Sequence, residues 1–324
     1  MLLAEVSSSI RSMLNDLDDP ATAIRVSGHE TFPLRLLWLK KAFDVASGPD
    51  GVDRRTFQEQ SAIATFGVGR NMALSMRHWA MATKVLQEKS STHLEASGLG
   101  RLIFADGIGL DPYLEHPTTL WLMHAHLVSK PLAATTFYYA FNLLNQIAFT
   151  RDDLVRAMAA LVEARATARA TAETLKRDVE VFVRSYAPRQ SDTGEDAAEP
   201  LLVELGLLRE QRSTGQLEFV RGQKPSLEDS IFALVLKQFW ERHHSLSPTL
   251  SVEQVQYDPG SPGRIFKLDE DSLVARLMSI GNATGGKMVW TDTAGLRQVA
   301  LASRLEEIDK IDLVKAGYRG RRAA

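Results

Sequence analysis

The stretch that most confines this chain is Phe66-Gly67-Val68-Gly69-Arg70. It separates two helix-period segments, residues 56–65 and 71–86, and its glycines permit the sharp reversal of a helix-turn-helix. The second segment sorts by face. Met72, Met76, Trp79 and Thr83 recur at helical spacing and make an apolar back. Arg70, Arg77 and Lys84 recur every seven residues and form a row, with Asn71, Ser75 and His78 alongside. From residue 66 to 89 the net charge is +3, in a chain whose formal net charge is −2. Phosphate attraction follows local Lys/Arg density, so this helix and not the whole chain is the candidate for DNA contact. The competing reading is a solvated charged face.

The flanking segments extend the pattern. KSSTHLEASGLGRLIFAD (89–106) suits an irregular β-ribbon, the wing of a winged helix. Residues 1–18 read as a short helix, and Pro33 opens another over 33–46, since the first helical turn tolerates proline. Helical patterns follow at 118–129 and 135–148, and an Ala-rich one at 151–186 makes one long helix or two abutting ones. RQSDTGEDAAEP (189–200) has linker composition. After it come a short helix, two strands about a Ser-Thr-Gly turn, and an amphipathic helix in which Ser226 and Asp229 have capping-box spacing. GYRGRRAA ends the chain as a basic tail. The expected fold is mainly α with small β-hairpins: winged-helix (helix-turn-helix) units plus a helical domain. The expected boundaries are 1–106, 107–188, a linker at 189–200, and a winged-helix-like α+β domain at 201–324.

Composition excludes several chemistries. There is no cysteine, hence no disulfide, thiolate zinc site or Cys nucleophile. No run of about 18 apolar residues predicts a membrane span, and the N-terminus lacks signal-peptide features. A cytoplasmic protein is expected.

Cutting a phosphodiester calls for carboxylates that hold a divalent metal, or for a base beside the attacking water. Two segments supply these types: Gly28-His29-Glu30-Thr31, and Asp111 to His116, in which Asp111 and Glu115 would share a face if Pro112 starts a helical turn. Arg35 would contact phosphate through paired hydrogen bonds. Each segment also has a structural reading, with Thr31 and Glu30 or Asp111 simply starting a helix. Pro33 stands where H-E-x-x-H needs its second histidine, and no phosphate loop or nucleophile elbow is present.

Three ordered blocks carry a resemblance: GHETFPLRLLWLKKAFD (28–44), FGVGRNMALSMRHWAMATKVL (66–86) and GLDPYLEHPTTLWLMHAHLVS (109–129). They resemble the SspB-like DNA nickase family of bacterial DNA phosphorothioation gene clusters. TTFYYAFN (135–142) and LKRDVEVFVRSY (175–186) extend the resemblance over most of residues 25–190. It implies single-strand nicking dependent on magnesium or manganese, double-stranded DNA as partner, and a role in phage defence. It also implies sulfur-transfer partners, a cysteine desulfurase and ATP-using proteins. The matching polar positions are His29, Glu30, Arg35, Arg70, Asn71, Arg77, Asp111, Tyr113 and Glu115. On this reading His29, Glu30, Asp111 and Glu115 are catalytic, the three carboxylates hold the metal, and Arg35, Arg70, Asn71, Ser75, Arg77 and Lys84 bind DNA. The alternative is a non-catalytic winged-helix adaptor or regulator of the same system. A homodimer is compatible with such a protein, though no sequence feature demands one.

Overall fold

The computed structural model describes residues 15–58, 61–165, 170–187, 200–211, 213–293 and 295–319. Most of the expected N-terminal helix, the linker at 189–199 and the end of the basic tail lie outside the described residues. The chain divides into two compact units, one of residues 23–140 and 145–219, the other of residues up to 22, 141–144 and from 220 onward.

The first unit begins with α1 (Trp38–Ala46), β1 (Val52–Asp53), a 3-10 turn (Arg54–Phe57), α2 (Ser61–Phe66), α3 (Arg70–Ala82), β2 (Leu86–Glu88), β3 (His93–Ala96) and α4 (Gly98–Phe104). The strands form an antiparallel sheet in the order β1-β3-β2, with Leu86 opposite Ala96 and Val52 opposite Leu94. Helix α3 packs on α1 through the apolar back read from the sequence. Met76, Trp79 and Ala80 are fully buried, and the Trp79 indole donates to the Phe32 carbonyl at 3.0 Å. Burying a side chain of this size contributes about 1.5–3 kcal/mol.

The unit continues with α5 (Pro117–Val128), α6 (Thr135–Asn142), β4 (Ala148–Phe149), α7 (Arg151–Glu163), α8 (Ala172–Tyr186), a 3-10 turn (Leu201–Leu205), β5 (Leu208–Gln211) and β6 (Gln216–Phe219). Thr150 and Asp153 close a capping box at the start of α7. Arg151 then joins Glu180 of α8 at 3.0 Å and Glu210 of β5 at 2.7 Å, clamping helix to sheet.

The second unit contains α9 (Asp229–His243), β7 (Thr249–Ser251), α10 (Val252–Tyr257), α11 (Pro262–Phe266), α12 (Glu270–Met278), α13 (Ile280–Thr284), β8 (Met288–Thr293), β9 (Leu296–Leu301) and α14 (Lys310–Ala316). Its core is α9, buried from Ser230 to Lys237 and again at Phe239 and Trp240. The sheets β4-β6-β5 and β7-β9-β8 repeat the order of the first one, so one topology occurs three times. In each case a strand of two or three residues joins the far strand of a later hairpin.

The mainly helical fold with small antiparallel sheets agrees with the periodicity. Several elements differ in detail. Pro33 does not open a helix: α1 starts at Trp38 after Leu37 in a left-handed conformation (φ 64°), and no side chain caps it. The 56–65 helix is split into the 3-10 turn and α2. Ser226 and Asp229 form no capping box, because α9 starts from Glu228 with no side-chain cap and Asp229 pairs with Arg276 at 2.5 Å. The segment 89–106, expected to be an irregular β-ribbon, supplies only the turn and second strand of the β2–β3 hairpin and then forms helix α4 (Gly98–Phe104). Among the described residues, no helix is long and apolar enough to cross a membrane.

The end of α3 corrects the basic row. The helix stops at Ala82, and Val85 N–H bonds the Ala80 carbonyl (2.9 Å) while Lys84 N–H bonds that of Met81 (3.2 Å). This paired closure places Lys84 in the left-handed position at φ 63°, where glycine is the usual residue. Lys84 therefore lies beyond the helix that carries Arg70 and Arg77. Relief of that backbone cost predicts that Lys84→Gly raises stability by roughly 0.5–1 kcal/mol, and that β-branched Lys84→Val lowers it by about 1–2 kcal/mol. Urea denaturation at neutral pH measures both.

Candidate nucleic-acid interface and carboxylate site

The Gly28–Thr31 loop is built under constraint. Gly28, Glu30 and Thr31 all have positive φ, at 108°, 48° and 67°. A Cβ on Gly28 would lie 2.8 Å from His78 Nδ1, so glycine is required twice over, for its backbone and for the imidazole against it. Between these residues His29 is buried. Its Nδ1 accepts from the Thr31 N–H at 3.2 Å, so the ring proton sits on Nε2 and is donated to Asp178 Oδ1 at 2.7 Å. Thr136 donates to the other oxygen of Asp178. The imidazole also stacks on Trp79, with centroids 6.0 Å apart and planes 14° from parallel. Both His29 nitrogens are thus committed within the fold, while Glu30, the next residue, is exposed.

Helix α3 runs beside this loop. Arg70 and Asn71 are exposed, Arg77 is half-buried, and among the described residues Arg77 makes no ion pair or hydrogen bond. Burial lowers the Arg77 guanidinium from its ordinary range, the nearby Arg54 charge lowers it further, and Glu30 opposes both. His78 is pushed down to about 3, first by burial and then by the neighbouring His29, Arg25 and Arg77. Arg25, Arg54, Arg77, His78 and Glu30 therefore form one electrostatic neighbourhood.

Two expected DNA ligands lie elsewhere. Ser75 is fully buried, and its hydroxyl donates to the Phe32 carbonyl at 3.4 Å, so it faces the loop ahead of α1. Arg35 is 6% exposed, and its guanidinium lies over the rings of Phe32 and Trp38 at 5.5 and 5.6 Å. Both are held by packing.

The second carboxylate segment is a cap. Residues 111–115 form a turn ahead of α5, so Asp111 and Glu115 do not share a helix face. Asp111 is buried, and its Oδ1 accepts from Glu115 N–H at 2.9 Å. Its Oδ2 accepts from His116 N–H at 3.0 Å and from the Thr119 hydroxyl. Glu115 is exposed. Among the described residues, no group of three or more His, Asp or Glu side chains could hold a metal. Glu30, Asp111 and Glu115 thus do not make a ready-built metal cage.

Arg25, Arg54, Thr136 and Asp178 were not legible as site residues. Only Asp178 had a signal: a carboxylate within the Leu175, Val179, Phe182 stripe must find a buried partner.

The chain belongs to the family described as protein of unknown function (DUF4007), whose profile matches residues 26–318. Two solved structures share its architecture, an SspB crystal structure and a magnesium ion-bound SspB crystal structure. Each has 27% sequence identity and a TM-score of 0.80, and the match covers 94% of this chain and 92% of the other. Among curated protein sequences, none matches significantly.

Two outcomes follow. Asp111→Ala leaves three donors without their acceptor and is expected to cost about 2–4 kcal/mol, read by chemical denaturation. Folded His78 stays neutral down to about pH 3, whereas the unfolded residue takes a proton near its ordinary value of 6.5. The unfolded state then binds more protons between those values, so stability falls as pH drops from 6.5 toward 3. His78→Asn should flatten that part of the Tm–pH curve.

Proposed function

We propose that this protein binds double-stranded DNA through α3 and nicks one strand as part of a DNA phosphorothioate modification system serving phage defence. The observation that carries the proposal is Arg77, half-buried and without an ion pair or hydrogen bond among the described residues, in one electrostatic neighbourhood with Arg54 and with the exposed Glu30 of a strained loop. The likeness to SspB supports placing the chain in such a system, and sulfur-transfer partners, a cysteine desulfurase and ATP-using proteins, are part of the proposal. The order α1, β1, α2, α3 and hairpin, with strands arranged β1-β3-β2, supports reading the segment as a winged helix in which α3 is the DNA-contacting helix.

In this reading Arg70, Asn71 and Arg77 meet the duplex, and Glu30 acts at the scissile phosphate. His29 holds Glu30 in place through Asp178. Asp111 shapes the start of α5, leaving Glu30 as the carboxylate of the site. Among the described residues, no three-ligand group fits a preformed magnesium cage. A single carboxylate suits magnesium only when substrate phosphates complete the shell, so a dependence on magnesium or manganese would appear only together with DNA.

A second reading, a non-catalytic DNA-binding adaptor of the same system, is favoured by that lack of a three-ligand group. Supercoiled plasmid separates the two. The proposal expects conversion to open circles with magnesium or manganese. Glu30→Gln should lower the nicking rate at least 100-fold while leaving duplex affinity within about threefold. Binding without nicking under every divalent metal assigns the adaptor role.

A further inference from the structure

A strand at the edge of a sheet leaves every second N–H and C=O without a ladder partner, and proteins limit this by keeping edges short, charged or broken by proline. Among the described residues, five of the six edge strands are short, with two to four residues: β1, β2, β4, β5 and β7. The sixth, β8, has six residues, no proline, no cation and a single acid, Asp292. Two hydrogen bonds fix which way its backbone points. Ala302 N–H bonds the Lys287 carbonyl at 2.9 Å, and Leu301 N–H bonds the Pro248 carbonyl at 3.0 Å. In an antiparallel ladder, bonded pairs recur at every second residue. Met288 stands opposite Leu301, so Val289, Thr291 and Thr293 turn their N–H and C=O toward β9, and Met288, Trp290 and Asp292 turn theirs outward. Met288 is closed off: the Thr284 hydroxyl accepts from its N–H at 3.1 Å and lies 3.5 Å from its carbonyl oxygen. Among the described residues, nothing hydrogen-bonds the outward groups of Trp290 or Asp292, or the Trp290 indole N–H.

The open backbone groups thus sit on two residues, two positions apart, and that spacing is self-complementary. We propose that β8 pairs antiparallel with β8 of a second copy of this chain, on a two-fold axis at Thr291. Trp290 then stands opposite the second copy's Asp292, and Asp292 opposite its Trp290, so every open N–H and C=O on both strands is bonded. Two three-stranded sheets become one of six strands. A two-fold axis at Trp290 instead would set Asp292 against the closed Met288 and lose half of these bonds. On one face the Trp290 indole N–H meets the carboxylate of the second copy's Asp292. On the other face Val289 lies opposite the second copy's Thr293, and Thr291 meets itself on the axis. Cross-strand pairs of β-branched residues stabilise antiparallel sheets. Leu296, opposite Thr293 in β9 and 67% exposed, extends that row. The pairing does not depend on the DNA-binding reading.

Sedimentation velocity of the full-length protein should show a monomer–dimer equilibrium at micromolar concentration. Asp292→Pro removes one outward N–H per copy and leaves the ladder to β9 intact, since an edge strand tolerates proline where its N–H faces solvent. It should weaken association roughly tenfold or more. Thr291→Arg places like charges opposite each other on the axis and should do the same, which keeps the test decisive if the proline variant fails to fold. The chain has no cysteine, so Thr291→Cys carries a single thiol. Its Cα would stand about 4.5 Å from that of its own counterpart, within disulfide range. For Thr293→Cys the same separation would be about 13 Å. Mild oxidation should therefore cross-link Thr291→Cys into a dimer and leave Thr293→Cys monomeric. A monomer at every concentration, with no cross-link, overturns the pairing, even if a strand of another protein docks on β8. So does a dimer that survives both Asp292→Pro and Thr291→Arg, or one that cross-links faster through Thr293→Cys.

Discussion

The bond from His29 to Asp178 is the constraint on which the first unit's candidate site depends. It joins a loop near the start of the chain to a helix 149 residues later and is sealed on the far side by Thr136. A carboxylate that is 3% exposed is costly to bury unless both its oxygens are engaged, and here they are. The strain follows from this bond. Once His29 is drawn inward against Trp79, the residues on either side must turn sharply, which is why Gly28, Glu30 and Thr31 adopt positive φ. Strained backbone of this kind persists only where the surroundings over-determine it. The consequence is that Glu30 is thrust to the surface beside Arg77.

The electrostatics of the same place are uneven. Glu30 and Glu88 are the carboxylates near the guanidiniums of Arg54 and Arg77, and Glu88 pairs with Arg54. Two other cations of this unit are matched by carboxylates: Lys40 lies between Asp44 and Asp106, and Arg151 between Glu180 and Glu210. Arg77 is half-buried and has no ion pair or hydrogen bond among the described residues, and stability alone gives no reason for that. An anionic partner that arrives from outside does.

Much of the fold was legible because helical periodicity is a long-range signal. The apolar back of α3 and the helical character of 151–186 follow from it, the latter legible as one long helix or two abutting ones, while the β5–β6 hairpin was legible from two strands about a Ser-Thr-Gly turn. Short strands escape, since β1 and β4 have only two residues each and no period can be read from them. Boundaries set by backbone geometry also escape: Lys84 continued the heptad row in sequence, but the left-handed closure after Ala82 removes it from the helix. For the site, residue type was a fair guide and role was not. His29 and Asp111 drew notice as chemistry-bearing side chains, yet every contact they make is to the fold. The partners that explain them, Asp178, Thr136 and Thr119, lie in segments whose local pattern is that of core helices.

The same sheet order occurs three times, but helices upstream of the first and third hairpins differ in charge. Arg70 and Arg77 line α3, whereas α12 follows Asp269 and begins with Glu270 and Asp271. The central claim is therefore that DNA is met by the first of these modules. Hydrogen–deuterium exchange with and without a random-sequence duplex tests it most directly. The account predicts protection in residues 27–35, 52–58 and 70–82, with none in 270–278. Protection confined to 270–278, with α3 unchanged, would contradict it.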